Sequence, residues 1–218
     1  MNFKHLKKKV AIEAINYLHS GITIGVGTGS TVFYLIKELK KISHLIYGAV
    51  SSSKSSTYFL KNNKINIINI NQINSLQIYI DSADEVDDKK RMIKGGGGAL
   101  TGEKIISSIS DIFICIVDKS KKVSKIGSKF PIPIEVIPMS TSYVCQEIKK
   151  LGGIPKVRKN FFTDYGNIII DVYHLNMSNP LKTELYINSI VGVVTVGIFA
   201  KKKADIVLIS SENGIKIL

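Results

Sequence analysis

The stretch Ile22-Thr23-Ile24-Gly25-Val26-Gly27-Thr28-Gly29-Ser30-Thr31 decides the fold that this sequence predicts. Its first half is apolar and β-branched, as in a buried strand, and its second half is a loop of glycines and hydroxyls. A helical pattern of apolar residues follows at Val32, Leu35, Ile36 and Leu39. A strand, a glycine loop and a helix in this order open a βαβ unit.

The same alternation continues on both sides of this stretch as far as residue 129. Apolar runs predict more strands and amphipathic spacing predicts the helices between them: helix 5–18, strand 47–50, helix 53–62, strand 76–80, a helix ending at 109 and strand 112–117. The asparagine-rich segment 62–74 has isoleucines in near alternation, which predicts strand and turn. Apolar strands that alternate with helices form a mostly parallel sheet covered on both faces.

After Lys129 the pattern changes. The order becomes βαββαβ, with strand 132–138, helix 140–150, strand 154–158, strand 168–174, helix 180–190 and strand 191–198. Asp205 to Ile209 is another apolar strand, which returns most easily to the first sheet. We therefore expect an α/β chain in which residues 1–129 plus 200–218 form a Rossmann-like domain with a mostly parallel sheet. Residues 130–199 would form an inserted, smaller ferredoxin-like α+β domain.

The chain has 218 residues and a formal net charge of +13. Among its 30 basic residues only Arg91 and Arg158 are arginines, whereas proteins that read nucleic acid grooves rely on arginine. A lysine-rich nucleic-acid-binding protein is therefore kept only as an alternative, and no nucleic acid partner is expected. The positive charge would equally favour a phosphorylated small molecule.

The N-terminus, Met1 to Val10, is a lysine-rich helix start without an apolar signal core, and no apolar run reaches the roughly 20 residues that span a bilayer. Cys115 and Cys145 lack CxxC spacing, which predicts buried thiols and not a disulfide framework or a zinc site. We expect a cytoplasmic protein with no membrane partner.

A second glycine-rich stretch, Lys94 through Lys104, combines a cation, four consecutive glycines and the start of a helical pattern. Glycine backbone NH groups at a helix N-terminus can hold an anion closely. Glu103 would lie in the first turn of that helix, beside the anion. Two alternatives stay open, since four glycines can be a flexible loop and a glutamate in a first turn can be a capping residue.

Four polar loops follow strands or open helices and would meet at the carboxyl edge of the sheet, where α/β proteins bind ligands. They are Gly27–Thr31, Asp81–Glu85, Lys94–Glu103 and Asp118–Lys121. The first is neither a dinucleotide fingerprint nor a nucleotide P-loop, because it lacks the third glycine of one and the lysine of the other. It suits a phosphate or a sugar hydroxyl, although Ser30 or Thr31 could merely cap the helix.

Asp81 and Asp84 could face one pocket, where a carboxylate pair can bind a metal, hold a polyol or shuttle a proton between oxygens. The four histidines lie outside all four loops, so a metal site is not favoured. The alternative is a solvated acidic turn that continues through Glu85, Asp87 and Asp88.

Together these residues resemble the type A ribose-5-phosphate isomerase family over nearly the whole chain. Gly27–Thr31 is similar to that family's GTGST loop, Asp81–Glu85 to its DGADE motif, Lys94–Lys104 to its KGGGGA…EK segment, and Asp118–Lys121 to its D-x-S-K motif. The order and spacing of all four motifs make the resemblance specific. The βαββαβ insertion also fits the family's smaller domain.

The resemblance implies an aldose–ketose isomerase that interconverts ribose 5-phosphate and ribulose 5-phosphate in the pentose phosphate pathway, without a metal or an organic cofactor, as a homodimer. Glu103 would accept the proton, and Asp81, Asp84 and Lys94 would handle ring opening and the oxygen charges. The implied substrate-binding residues are Thr28, Gly29, Ser30, Thr31, Asp81, Ser82, Ala83, Asp84, Lys94, Gly95, Gly96, Gly97 and Lys121. The residue chemistry agrees, because an enediolate needs a carboxylate base and a cation or NH donors near its oxygens.

The sequence departs from the family pattern in two places. Ser82 replaces the glycine of DGADE, so the turn would be strained if that position needs a positive φ. The segment Ile190–Phe199 lacks the proline, glutamate and asparagine that the family usually has there, which puts contacts of the second domain in doubt. A related sugar-phosphate protein, such as a regulatory sensor, stays open as an alternative that need not keep Glu103.

Overall fold

The computed structural model describes residues 3–218, so the first two residues of the predicted helix start at Met1–Val10 lie outside it. The helices and strands in chain order are α1 Phe3–Ile15, β1 Ile22–Val26, α2 Ser30–Lys41, β2 Ile46–Ser51, α3 Lys54–Asn62, β3 Leu76–Asp81, β4 Glu85–Val86, β5 Met92–Ile93, α4 Leu100–Ser108, β6 Ser110–Asp118, β7 Ile132–Val136, α5 Thr141–Lys150, β8 Ile154–Val157, β9 Ile168–Tyr173, α6 Pro180–Asn188, β10 Val193–Val196, β11 Ile198–Phe199, β12 Ile206–Ser211 and β13 Gly214–Ile217.

The first compact unit holds the described residues up to Ala83, together with Gly102–Lys122 and Ala204–Leu218. Its six-stranded sheet has the order β13-β12-β6-β3-β1-β2. All neighbours are parallel except β12 and β13. The strands are apolar on both faces because helices cover the sheet, and Ile24, Ile80 and Ile116 are wholly buried. The predicted mostly parallel sheet is confirmed.

The second compact unit holds Asp84–Thr101 and Val123–Lys203. Its four-stranded antiparallel sheet has the order β10-β7-β9-β8, and α5 and α6 complete the predicted βαββαβ sequence. Val144 of α5 and Ile187 of α6 pack into the same buried cluster as Ile134 and Ile170 of the sheet. The predicted domain limits, 1–129 plus 200–218 and 130–199, stay a prediction, and they assign residues 84–101 to the larger domain.

A small antiparallel sheet, β11-β5-β4, belongs to the second unit and was not predicted. Its strands have two residues each, which is too short for an alternating pattern to show in sequence. The antiparallel partner β13 was also missed.

The predicted strand within segment 62–74 is wrong. The backbone there pairs with β2 only at Ala49 and Ile67, and a 3₁₀ turn follows at Ile70–Gln72. The Asn69 side chain accepts a hydrogen bond from the backbone of Asn71 and starts this turn, which ends the pairing. Within residues 3–218, no helix is long and apolar enough to cross a membrane.

Candidate active site

Asp81 organises the site of the first unit. It is the last residue of β3 and is wholly buried. Its Oδ1 accepts hydrogen bonds from the backbone NH groups of Thr28, at 3.0 Å, and Ser82, at 2.6 Å. The hydroxyl of Tyr79 donates to Oδ2. One carboxylate therefore ties together the ends of two predicted substrate loops.

Gly27 must be a glycine because Asp81 lies against it. A Cβ atom at position 27 would lie 1.9 Å from Cγ of Asp81, which no real structure allows. The glycine lets the backbone of the Gly27–Thr31 loop pass close enough for Thr28 to bond to the carboxylate. The glycine-rich loop and Asp81 thus require each other.

A group of hydroxyls surrounds the Thr28 side chain. Its Oγ1 lies 3.1 Å from Oγ of Ser52, 2.5 Å from Oγ of Ser53 and 2.9 Å from Oγ of Ser56. The Ser56 hydroxyl also donates to the carbonyl oxygen of Gly27, at 2.6 Å. These serines were not predicted, although Ser51 at the end of β2 and Ser52-Ser53 before α3 carry the same signal of strand, hydroxyl loop and helix.

The N-terminus of α2 carries Ser30 and Thr31. The N-cap residue is Gly29, with φ of 116°, and no side chain bonds there to the backbone, so neither Ser30 nor Thr31 serves merely as the cap. The Lys7 ammonium of α1 donates to Oγ of Ser30, at 2.8 Å. Lys7 was not predicted as a site residue, because one lysine among many in a basic N-terminus gives no signal.

Ser82 is accommodated without strain. Its φ angle is not positive, so this position does not require a glycine. Its hydroxyl donates to the carbonyl oxygen of Thr28, at 3.2 Å. The serine adds a bond between the two loops, and the following residue, Ala83, is buried.

Glu103 lies in the first turn of α4 with only 4% of its surface exposed. Burial raises the pKa of Tyr79 well above its ordinary value of 10.0, and the negative charges of Asp81 and Glu103 raise that pKa further. Both carboxylates therefore act on the same buried phenol. Within the first unit, the structure brings Asp81 and Glu103 into one electrostatic environment.

The fourth predicted loop follows β6. Asp118 is buried, and its Oδ1 accepts a hydrogen bond from the backbone NH of Ser120, at 2.9 Å, which starts a short 3₁₀ turn. Lys121 ends that turn and is half-buried. One of the two strands that pair with β6 is β3, which carries Asp81.

The second unit contains Asp84, Lys94 and the glycines that follow it. Oδ2 of Asp84 accepts a hydrogen bond from the backbone NH of Gly96, at 2.8 Å, and a Cβ atom at position 96 would lie 2.7 Å from Oδ1. The backbone NH of Gly96 in the glycine loop thus binds a carboxylate of the protein itself, that of Asp84. Asp84 holds the backbone of Gly96, which favours an ordered loop over a merely flexible one.

Lys94 is one of the largest buried side chains, with 2% of its surface exposed. Its backbone NH donates to the carbonyl oxygen of Gly197, at 2.9 Å, and its ammonium lies 5.7 Å from the ring centroid of Phe199. Both partners come from the segment Ile190–Phe199, whose departure from the family pattern had put its contacts in doubt. The segment keeps a contact with a predicted site residue.

Two further polar clusters hold the glycine loop and the start of α4. Arg158 forms a two-bond ion pair with Asp171, at 2.9 and 2.6 Å, and donates to the carbonyl oxygen of Gly96, at 3.1 Å. Glu135, wholly buried in β7, accepts from Oγ1 of Thr101 at 2.5 Å. Neither cluster was predicted, because Arg158 lies 62 residues from Gly96 and Glu135 lies 34 residues from Thr101 along the chain.

Of the acidic residues after Asp84, Asp88 is exposed, as the solvated-turn alternative predicts, whereas Glu85 and Asp87 are not. Glu85 and Asp87 are each 1% exposed. Glu85 accepts hydrogen bonds from the backbone NH groups of residues 127, 129 and 130, and Asp87 pairs with Arg91 at 2.6 Å. Across residues 3–218 we find no group of three or more His, Cys, Asp or Glu side chains that could hold a metal ion.

Comparison with known proteins adds independent evidence. The model of the family described as ribose 5-phosphate isomerase A (phosphoriboisomerase A) matches residues 48–214. The chain is 56% identical over 218 residues to ribose-5-phosphate isomerase A of Buchnera aphidicola subsp. Acyrthosiphon pisum (strain Tuc7), covering 100% of this chain and 97% of that one.

Solved structures give the same result. Ribose 5 phosphate isomerase A from Neisseria gonorrhoeae has a TM-score of 0.97 at 42% identity, covering 100% of this chain and 97% of that one. A D-ribose-5-phosphate isomerase in complex with phospho-erythronic acid has a TM-score of 0.95 at 36% identity, covering 100% and 99% of the two chains.

Proposed function

The chain belongs to the ribose 5-phosphate isomerase A family, and we propose that Glu103 is the base of its reaction. The enzyme interconverts the aldose ribose 5-phosphate and the ketose ribulose 5-phosphate. The observation that carries this function is the match at 56% identity over all 218 residues, which includes both compact units. The roles of individual residues are proposals that rest on their chemistry and their surroundings.

Isomerisation moves one hydrogen from C2 to C1 of the open-chain sugar. A base removes the proton at C2, its electron pair forms the C1–C2 double bond, and the π pair of the C1 carbonyl moves onto the C1 oxygen to give the enediolate. A proton passes from the oxygen on C2 to the oxygen on C1, the C2 oxygen becomes the carbonyl oxygen, and the base returns its proton to C1. We assign the proton transfer to Glu103, because its carboxylate is buried in the first turn of α4 and is shielded there from competing water.

The oxygens of the sugar need separate groups. Ring opening moves a proton from the anomeric hydroxyl to the ring oxygen, which suits the carboxylates of Asp81 and Asp84. The enediolate then places negative charge on an oxygen, which suits the buried ammonium of Lys94. Both aspartates accept backbone NH bonds that fix their orientation, and this supports their assignment.

The phosphate group is assigned to the N-terminus of α2. No side chain caps the first turn at Gly29, so Ser30, Thr31 and the helix dipole can face an anion. Lys7 places an ammonium on the Ser30 hydroxyl, which adds charge to the same point. Lys121, Ala83 and the glycines Gly95 and Gly97 complete the proposed substrate contacts.

The deciding experiment compares wild type with Glu103→Gln in the conversion of ribose 5-phosphate to ribulose 5-phosphate, with a chelator present. Loss of a general base lowers turnover by roughly 10²- to 10⁴-fold, whereas the amide keeps the size of the side chain and should leave substrate binding nearly unchanged. Glu13→Gln, on the half-exposed face of α1, is the matched control. Turnover within threefold of wild type in Glu103→Gln would remove Glu103 from the reaction.

We also propose that the protein is a homodimer. Four apolar side chains on two adjoining loops and the first turn of α5 in the second unit are exposed: Ile137 at 47%, Met139 at 94%, Tyr143 at 48% and Val191 at 78%. We call this set the apolar corner. The loops adjoin because the backbone NH of Ile137 and the hydroxyl of Ser140 both donate to the carbonyl oxygen of Gly192. A cluster of this kind favours a protein partner, and a second copy is the partner that the family resemblance implies.

A cytoplasmic location is the accompanying proposal. Both cysteines are free thiols, Cys115 buried in β6 and Cys145 half-buried in α5. Free thiols are typical of proteins that work in a reducing compartment.

A further inference from the structure

Tyr79 lies in β3 and has no part in the chemistry assigned above. Its side chain is wholly buried, and its ring packs against Phe113 of β6 with 4.8 Å between the centroids. On the other side it lies so close to β1 that a Cβ atom at position 25 would be 2.9 Å from the ring. The phenol is therefore held rigidly, and its hydroxyl has a fixed direction.

The hydroxyl closes a ring of hydrogen bonds under the Gly27–Thr31 loop. Tyr79 donates to Oδ2 of Asp81, and Oδ1 of Asp81 accepts from the backbone NH of Thr28. The Thr28 hydroxyl lies 3.1 Å from that of Ser52, which in turn hydrogen-bonds to the Tyr79 hydroxyl. Asp81 and Thr28 are thus joined twice, once directly and once through Ser52 and Tyr79.

The surroundings of the phenol keep it a donor. The charged groups that face it are Asp81 from its own strand and Glu103 from α4, both negative, whereas β1, the end of β2 and β6 present Gly25, Ser52 and Phe113. Burial together with these two carboxylates raises the pKa of Tyr79, so the phenol keeps its proton. Its single proton goes to Asp81, and its oxygen accepts from Ser52.

We propose that Tyr79 is a positioning residue of the isomerase, because its hydroxyl fixes the Asp81 carboxylate and, through Ser52, the Thr28 side chain in the arrangement that receives the sugar phosphate. The inference rests on the proposed roles of Asp81 and the Gly27–Thr31 loop. Tyr79 acts through these groups and does not touch the reacting atoms. Preformed geometry of this kind contributes to rate because a small displacement of a reacting group is costly.

The test begins with Tyr79→Phe, which removes one oxygen and keeps the ring. We expect kcat/KM for ribose 5-phosphate to fall by about 10- to 100-fold. Tyr17→Phe, a half-buried tyrosine that packs on the core of the first unit, is the control and should stay within twofold of wild type. Circular dichroism and a thermal melt establish that each variant is folded. Ser52→Ala removes the Ser52 hydroxyl from the same ring of hydrogen bonds and should also lower kcat/KM. It replaces Tyr79→Phe as the test if that variant proves too unstable.

A double-mutant cycle with Asp81→Asn separates positioning from a general structural role. If Tyr79 works through Asp81, adding Tyr79→Phe to Asp81→Asn changes kcat/KM by less than threefold. An equal loss in both backgrounds, or no loss from Tyr79→Phe in the wild-type background, overturns the inference. If Asp81→Asn alone retains wild-type kcat/KM, the proposed role of Asp81 fails, and the inference fails with it for that separate reason.

Discussion

The ammonium of Lys7 and the hydroxyl of Ser30 show how a residue outside every motif can enter a site. Lys7 is on α1, yet it reaches the N-terminus of α2. A hydrogen bond from a charged donor contributes about 1.5–3 kcal/mol. A lysine at a phosphate site therefore contributes to substrate affinity, whereas a lysine in solvent does not.

We expect Lys7→Gln to raise KM for ribose 5-phosphate by about tenfold or more, with a smaller change in kcat, because the phosphate does not react. Lys8→Gln, which removes a neighbouring exposed lysine, should leave both constants unchanged. Steady-state kinetics at fixed ionic strength measure the difference. Equal KM values for the two variants would exclude Lys7 from the phosphate site.

Tyr79 also makes stability depend on alkaline pH. Its pKa is raised in the folded state, so above about pH 10 the unfolded chain loses a proton that the folded chain keeps. This contribution to stability is complete below the unfolded pKa and is lost as pH rises towards the folded pKa. Wild type should therefore lose stability more steeply than Tyr79→Phe, by about 1.4 kcal/mol per pH unit.

Urea unfolding at several pH values between 9 and 11 gives both slopes. Identical slopes for wild type and Tyr79→Phe would show that the tyrosine titrates alike in the folded and unfolded chains.

Among single residues, the carboxylates of the site could be predicted from the sequence, whereas the side chains that surround them could not. Asp81, Asp84 and Glu103 could be named because they lie in motifs whose order and spacing resemble those of the family. Tyr79, Ser52 and Arg158 could not, because an aromatic residue in a strand or an arginine in a loop is compatible with many surroundings. Their function depends on contacts with residues distant in the chain, which local patterns do not encode.

Among the elements, α4 depends on polar contacts at its first turn. Thr101 bonds to Glu135, and the other oxygen of Glu135 accepts from the hydroxyl of Thr163 and the amide of Asn167, at 2.8 and 2.9 Å. A buried carboxylate with three donors fixes the position where the helix begins. Glu103 lies in the first turn of the same helix.

We expect Glu135→Gln to lower the free energy of unfolding by about 1–3 kcal/mol, because the amide presents a donor where the carboxylate accepted. Turnover should fall as well, since the start of α4 loosens. Glu147→Gln, which removes an exposed pair with Lys150, is the control and should change neither quantity measurably. Urea unfolding and kinetics on the same samples test this, and wild-type values in Glu135→Gln would contradict it.

The elements that could be predicted from the sequence are those whose length or spacing of apolar residues follows from burial in the core. β1, β3 and β6 are continuous apolar runs because both of their faces are covered. Strands β4 and β5 could not be predicted, because the position of a two-residue strand is determined by the strand it pairs with and not by its own side chains. The isoleucines of segment 62–74 led to a wrong strand prediction for a related reason. Ile65 is buried directly after a turn, so the alternation of apolar residues there does not reflect a strand.

For the whole molecule, the order of elements predicted the architecture. Alternating strands and helices require crossover connections and therefore parallel pairing, and a βαββαβ run closes on itself as an antiparallel sheet. The family resemblance supplied the function. What sequence could not predict is which surface residues stay uncovered, because exposure is a property of the assembled chain.

The apolar corner gives a prediction at this scale. Met139→Glu combined with Val191→Lys should convert the proposed dimer to monomer, because charges placed in an apolar contact cannot be solvated there. Phe162→Glu, which changes another exposed side chain of the second unit, is the control. Light scattering coupled to gel filtration measures the mass. A wild-type protein that elutes as a 24.0 kDa monomer would reject the homodimer.

The position of β12 has a consequence for synthesis. This strand pairs with β6 in parallel and also carries β13, so residues 206–211 supply one whole side of the six-stranded sheet. A nascent chain on the ribosome must therefore carry an unpaired, apolar β6 edge until residues 206–211 emerge. Folding of the first unit cannot be completed before those residues are synthesised, and during that interval the exposed edge is a natural target for chaperones.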